Sequence, residues 1–173
     1  THIKFGESTA VLAGNSLLTM AFEILSDSKL KINNNNKIRL IENLSKCSGH
    51  LGIAGGQFLD LSFEHKKISK KNIIEMEIKK TGMLFSFCCM APAIIKNKDP
   101  KIIKSFEKLG SDIGLLFQIT DDFIDYKGST KIAGKKTNKD ENKGKATLIS
   151  LLGYKNAVKY SSSIQLKIKN KLN

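Results

Sequence analysis

An all-α fold is what this sequence predicts, on three observations. Apolar residues recur at helical spacing through most of its 173 residues. No segment alternates with period two for long. Helix start signals, such as Ser69 and the Asp99–Pro100 pair, stand at the heads of the apolar runs. The length suits one domain with a sizeable core. A hydrophobic content of 40% fits a globular protein. There is no internal repeat.

In chain order, Glu7 to Leu25 carries Leu12, Ala13, Leu17, Leu18, Met20, Ala21, Ile24 and Leu25, apolar nearly all round, as expected of a central helix. Ser26 to Asn36 ends in four asparagines and reads as a loop. Lys37 to Glu64 resumes a helical pattern through Ile38, Ile41, Leu44, Leu51, Phe58 and Leu61. Gly49, Gly52, Gly55 and Gly56 fall inside it, each unfavourable by about 1 kcal/mol against alanine. They serve either close helix packing or a smooth wall facing a ligand. His65 to Ile68 is a basic turn, and Ser69 caps the helix that follows. That helix runs through Ile73, Ile74 and Met76 to Lys80–Thr81 and the apolar run after Gly82, until Pro92 ends or kinks it. Asp99 and Pro100 start a long helix with Ile102, Ile103, Phe106, Leu109, Ile113, Leu116 and Phe117. Lys127 to Lys145 is a polar loop, Thr147 to Leu152 a short helix, and Tyr154 to Leu172 a last helix.

The formal net charge is +13. It suits a phosphate-bearing partner or a solvated lysine surface. Arg39 is the sole arginine, which argues against sequence-specific DNA reading, where bidentate arginine dominates. Cys47, Cys88 and Cys89 show no metal-ligand spacing and, with no secretory segment visible, suggest a reducing cytoplasm. His2, His50 and His65 are scattered. The two most apolar stretches, Thr9 to Leu25 and Gly82 to Ile95, read as buried helices. The first is interrupted by Asn15, Ser16 and Glu23, and the second is too short to span a bilayer, so no membrane span is expected.

The long helix delivers Asp121, Asp122 and Asp125 at its C-terminal end. Positions i and i+4 stack on a helix, so Asp121 and Asp125 share a face, with Gln118 a turn earlier. Like charges so placed resist ionising together. The negative end of the helix dipole adds to the repulsion. A divalent cation is the expected remedy.

Asp-Asp-x-x-Asp is weak evidence alone and gains from its company. Phe117–Gln118 precedes it, and Gly134–Lys135 and Gly144–Lys145 place lysines fourteen and twenty-four residues after Asp121. Lys80–Thr81–Gly82 stands one helix earlier, and Gly55–Gly56–Gln57–Phe58–Leu59–Asp60 before that. The opening has His2, Phe5 and Ala10–Val11–Leu12–Ala13–Gly14 running into Leu17–Leu18. This ordered set resembles the class I trans-isoprenyl diphosphate synthases, the polyprenyl synthetase family, and looks closest to the bacterial farnesyl diphosphate synthase branch.

The resemblance implies an isoprenoid synthase-type bundle of antiparallel helices around a central cavity, here partial. Residues 1–173 would be the C-terminal part of a single prenyl synthase domain. It implies condensation of an allylic diphosphate with isopentenyl diphosphate, with Mg²⁺ (Mn²⁺ the alternative) on Asp121, Asp122 and Asp125. It implies diphosphate-binding lysines at Lys80, Lys135 and Lys145, and oxygen dipoles for the allylic cation from Thr81 and Gln118. Gln57, Asp60 and Asp140 would support the ligating residues from behind. It further implies a homodimer when full length and a cytoplasmic location. Each residue keeps a plainer reading. Lys135 and Lys145 suit ordinary loop lysines, Thr81 a bond to its own helix backbone, and Gln57 a buried amide at a helix crossing.

The sequence departs from the family in three ways. The first aspartate-rich motif lies, in the family, upstream of the segment matching Thr1. The chain stops at Asn173, short of the family's last helix or two. Asn15 stands where the family usually has aspartate. The expectation is an enzyme fragment that gives no prenyl product by itself from dimethylallyl and isopentenyl diphosphates with Mg²⁺. Two alternatives are a non-catalytic partner subunit of a synthase and a basic all-α nucleic-acid-binding module. The intact second motif argues against the first. The acidic row, which would repel a phosphate backbone, argues against the second.

Overall fold

The structure is a computed structural model that describes residues 1–127 and 146–172. Helices account for its regular structure, and no strand occurs among the described residues. The chain divides into two compact units, Thr1–Ser45 and Lys46–Asn173.

The first unit holds α1 (His2–Phe5), α2 (Glu7–Ser26) and most of α3 (Asn34–Ser48). Gly6, at φ 85°, makes the turn from α1 into α2, a backbone region that glycine enters without strain. No residue of α2 is buried, against the expectation of a central helix. An all-round apolar pattern reports what a helix can bury, and a partner surface is a separate requirement. The asparagine run is also corrected. Asn33 Oδ1 accepts from Asn36 N–H at 2.8 Å and caps α3, so three of the four asparagines are helical.

In the second unit, α4 (Ile53–Ser62) is separated from α3 by a break that the sequence pattern does not announce. A Cβ on Gly52 would run into the Cys47 carbonyl, so the backbone turns tightly there and needs a glycine. Ser69 caps α5 (Lys70–Glu77) through its side chain, as expected. The helix widens into a π-helical turn at Ile78–Gly82 and continues as α6 (Met83–Ile95). Pro92 lies inside α6 and does not end it. Asn97, at φ 50°, ends the run, with Lys98 N–H returning to the Ala93 carbonyl at 2.9 Å.

Asp99 accepts from Lys101 N–H at 2.7 Å and opens α7 (Pro100–Lys127). The described chain then resumes with α8 (Leu148–Leu152), capped by the reciprocal Thr147–Ser150 pair, and α9 (Tyr154–Leu172). Ile73 and Met76 of α5, Leu115 and Ile119 of α7, Leu148 of α8 and Ile164 of α9 form the core. Among the described residues, two helices, Glu7–Ser26 and Lys70–Ile95, are long and apolar enough to cross a membrane. Lys70–Ile95 supplies Ile73 and Met76 to this core, as the core helix of a folded domain does.

Close approach decides the glycine question at two places. A Cβ on Gly56 would stand 2.6 Å from Lys80 Cα, and one on Gly114 would stand 2.6 Å from Gly82 Cα. The π turn is thus wedged between α4 and α7 with a glycine on either side. Gly56→Ala is expected to destabilise the chain by about 1–3 kcal/mol, since backbone must move to admit the methyl. Gly14, whose Cβ would meet nothing within 4 Å, is the control. Gly14→Ala is expected to be neutral or stabilising by up to about 1 kcal/mol. Urea titrations of the two variants decide it, and equal midpoints would contradict the wedge.

Asp112 of α7 accepts from Lys167 and Lys171 of α9, at 2.7 Å each. Burial raises its carboxyl, but the two hydrogen bonds and charges outweigh that and hold it below its ordinary 3.8. A depressed acid stabilises the fold above its unfolded value, and that contribution fades as pH falls through the lower folded value. Acid titration of Asp112→Asn is therefore expected to show a smaller loss of stability below pH 3.8 than the parent chain. Parallel acid profiles would exclude the pair as a stabilising contact.

Candidate functional site

The wide turn at Ile78–Gly82 carries Lys80 and Thr81, and each makes one long-range bond. Lys80 Nζ donates to Asp60 Oδ2 on α4 at 2.6 Å. Asp60 is buried, so the ammonium neutralises a carboxylate that bulk water barely reaches. Thr81 Oγ1 donates to Gln118 Oε1 on α7 at 2.9 Å, instead of bonding its own helix. Gln118 Nε2 in turn donates to Asp122 Oδ1 at 3.0 Å. That chain of bonds orients the amide without ambiguity, with its oxygen toward Thr81 and its nitrogen toward the carboxylate.

A π turn inserts one extra residue in a helix and shifts the register beyond it. Here Lys80 and Thr81 are adjacent in sequence yet bond to different helices, α4 and α7. One small cleft, with room of about 20 Å³, lies between these groups. Asp60, Met76, Glu77, Lys80, Gln118, Asp122, Ala146 and Thr147 line it. Thr147 and Ala146 bring in the N-terminus of α8.

Of the three aspartates at the end of α7, Asp122 and Asp125 are buried and Asp121 is partly exposed. Asp122 is the one that lines the cleft. Helical i, i+4 spacing puts Asp121 and Asp125 on one face, but Asp122 is the aspartate that Gln118 bonds and that lines the cleft. Among the described residues, no three His, Cys, Asp or Glu side chains converge as a ready-made metal cage. Gln57 is exposed and does not line the cleft. Lys135, Asp140 and Lys145 lie outside the described residues.

Glu77 escaped the sequence reading. It is 2% exposed, one of the largest fully buried side chains. One carboxyl oxygen accepts from the Leu148 backbone N–H at the start of α8, and the other, Oε2, is buried without a partner. Burial first, then the nearby Asp122 and Asp60, push its carboxyl up from 4.5 to about 9, while Lys80 and the Leu148 N–H oppose the rise. The signal was present in the sequence. Ile73, Met76 and Glu77 fall at i, i+3 and i+4, so a glutamate sits on the core stripe of α5.

Comparison with known proteins adds the following. A family model described as polyprenyl synthetase matches residues 1–172. The chain is 40% identical over 152 residues to the farnesyl diphosphate synthase of Micrococcus luteus, covering 88% of this chain and 52% of that protein. It is 37% identical over 160 residues to the farnesyl diphosphate synthase of Escherichia coli, covering 91% and 54%. Among solved structures it resembles the Helicobacter pylori geranyltransferase complexed with magnesium and isoprenyl diphosphate. The TM-score is 0.87 at 32% identity, over 99% of this chain and 55% of that one. The chain thus spans about half the length of the relatives it matches.

Proposed function

The chain belongs to the polyprenyl synthetase family, and on that premise we propose that it is part of a short-chain prenyltransferase. Its reaction would join an allylic diphosphate to isopentenyl diphosphate in isoprenoid biosynthesis, with farnesyl or another short-chain diphosphate as the product. The observation that carries this reading is the grouping of Lys80, Gln118 and Asp122 around one cleft, with Thr81 of the π turn bonded to Gln118.

Each group has work to do in that reaction. Condensation breaks the allylic C–O bond, forms a C–C bond to isopentenyl diphosphate, and sends a proton to the released diphosphate. Lys80 has three N–H donors and spends one on Asp60, so two remain for diphosphate oxygens as charge grows on them. Asp60 holds the ammonium in place. Thr81 and Gln118 keep oxygen lone pairs beyond their mutual bond, which suits them to face an allylic cation. Lys135 and Lys145 fill diphosphate-binding roles by their spacing from Asp121, and Asp140 a supporting one.

Asp121, Asp122 and Asp125 are all-oxygen donors, which suits a hard cation such as Mg²⁺, with Mn²⁺ the alternative. They do not form a closed cage, so they would hold such an ion together with water or diphosphate oxygens. The bound ion would withdraw charge from the departing diphosphate. The magnesium and isoprenyl diphosphate of the Helicobacter relative support the assignment. We further propose that this chain is the C-terminal part of one prenyl synthase domain, that the enzyme is a cytoplasmic homodimer, and that Lys70–Ile95 is a core helix and not a span.

Calorimetry with an unreactive allylic diphosphate analogue tests the reading. Binding to the 173-residue chain is expected with Mg²⁺ and lost with chelator. Duplex DNA is expected to show no tight binding at moderate salt. DNA binding with a steep salt slope, and none of the diphosphate, would replace this reading with the basic nucleic-acid module.

A further inference from the structure

Glu77 is the buried charge-capable group that the proposed reaction leaves unused. It lies one residue before the π turn, on the face of α5 that meets α7 and α8. Its carboxyl has two halves with different duties. One oxygen takes the Leu148 N–H, one of the backbone donors that the first turn of a helix leaves unsatisfied. The other, Oε2, is buried with no hydrogen-bond partner, on a residue that lines the cleft with Asp60, Lys80, Gln118 and Asp122. A buried carboxyl oxygen without a partner is costly. A core position filled by Met or Leu would avoid that cost.

The cleft explains the choice. Its room of about 20 Å³ suits one water, and its walls offer the two to four polar partners such a water needs. Lys80 has donors to spare after Asp60. A water there would accept from Lys80 and from the Oε2 O–H of Glu77, a carboxyl that keeps its proton to about 9, and would donate to Asp122. That water would bridge two sets of hydrogen bonds. The first is Lys80 with Asp60, and the second is Thr81, Gln118 and Asp122 in series.

We propose that Glu77 is a positioning residue of this site, which through one water held in the cleft sets the orientation of Asp122 and Gln118 relative to Lys80. The geometry stands independently of the reaction. The consequence for diphosphate binding rests on the prenyltransferase reading above. Groups behind a metal or anion site that orient its ligands typically alter affinity by about 10–100-fold when removed.

Two variants separate positioning from packing. Glu77→Gln keeps an acceptor for Leu148 and a polar group for the water. Glu77→Met keeps the volume and removes both. The full 173-residue chain is compared in three forms by the side-chain amide resonances of Gln118 and by the affinity for an unreactive allylic diphosphate with Mg²⁺. In the parent chain and Glu77→Gln, the Gln118 amide protons are expected to be shifted and slow to exchange, with affinities within about threefold of each other. In Glu77→Met they are expected to move to solvent-like positions, with affinity down about tenfold at unchanged helicity. If Glu77→Met leaves both the Gln118 signals and the affinity intact, the proposal is overturned while the diphosphate reading stands. If Glu77→Gln is as damaged as Glu77→Met, the carboxyl acts by a route other than the water and the proposal is again overturned. If Glu77→Met frees Gln118 but no form binds diphosphate, the positioning stands and the diphosphate reading falls.

Discussion

Replacing Lys80 by alanine is expected to reduce turnover of the full-length enzyme by about 10²–10³-fold, the usual size for removing one donor from growing leaving-group charge. The same change strands Asp60, whose carboxylate is 6% exposed and accepts from Lys80 at 2.6 Å. Breaking a buried pair from one side typically costs about 3–5 kcal/mol. Lys80 is itself 23% exposed, so water reaches the pair from one side and the lower end of that range applies. The two effects come apart in a second variant. Lys80→Met combined with Asp60→Asn removes the orphaned charge and is expected to recover most of the stability, with turnover still depressed. Denaturant unfolding and product release, measured on the same preparations, give the comparison. Recovery of turnover in the double variant would show that Lys80 serves the fold and not the leaving group.

Glu77→Gln is expected to stabilise the chain, by an amount that grows with pH. The folded carboxyl holds its proton to about 9, while the unfolded chain releases it near 4.5. Between those values the folded state binds more protons than the unfolded one, so raising the pH weakens the fold. The limiting slope from one such group is about 1.4 kcal/mol per pH unit. The gap between Glu77→Gln and the parent is therefore near its minimum below pH 4.5 and reaches on the order of 3 kcal/mol by pH 7. Asp122, Asp60 and Lys80 face the carboxyl, and Tyr160 of α9 feels its charge, so the comparison belongs in metal-free buffer. Unfolding curves at pH 5, 7 and 9 suffice, and a pH-independent gap would refute the assignment. With Glu77 in a positioning role, this is a site where stability is given up for function.

Much of the architecture was legible because helices announce themselves locally. Ser69 and Asp99–Pro100 mark helix starts, and the side chains that cap there are the ones the sequence names, while the caps Asn33 and Thr147 show only in the structure. The errors fall where a local pattern depends on something distant. The apolar repeat from Lys37 to Glu64 runs through the break at Gly49–Gly52, since side-chain periodicity is blind to a tight backbone turn. Pro92 looks like a terminator but sits in the last turn of a helix that Asn97 ends. The apolar surface of α2 says nothing of whether anything covers it.

The candidate site divides in the same way. The sequence by itself determined which residue types are present and in what order: Asp60, Lys80–Thr81, Gln118 and the three aspartates. That order suffices to place the chain in its family. Tertiary structure alone decided which of them meet. It joined Lys80 to Asp60 and Thr81 to Gln118, chose Asp122 over Asp121 and Asp125 for the cleft, and left Gln57 on the surface. The physical reason is the π turn. One extra residue at Ile78–Gly82, wedged between Gly56 and Gly114, changes the helical register by an amount that no fixed spacing predicts. Glu77 follows from the same cause. Its position on the core stripe is readable in the sequence, but its unpartnered oxygen exists only where α5, α7 and α8 close around it.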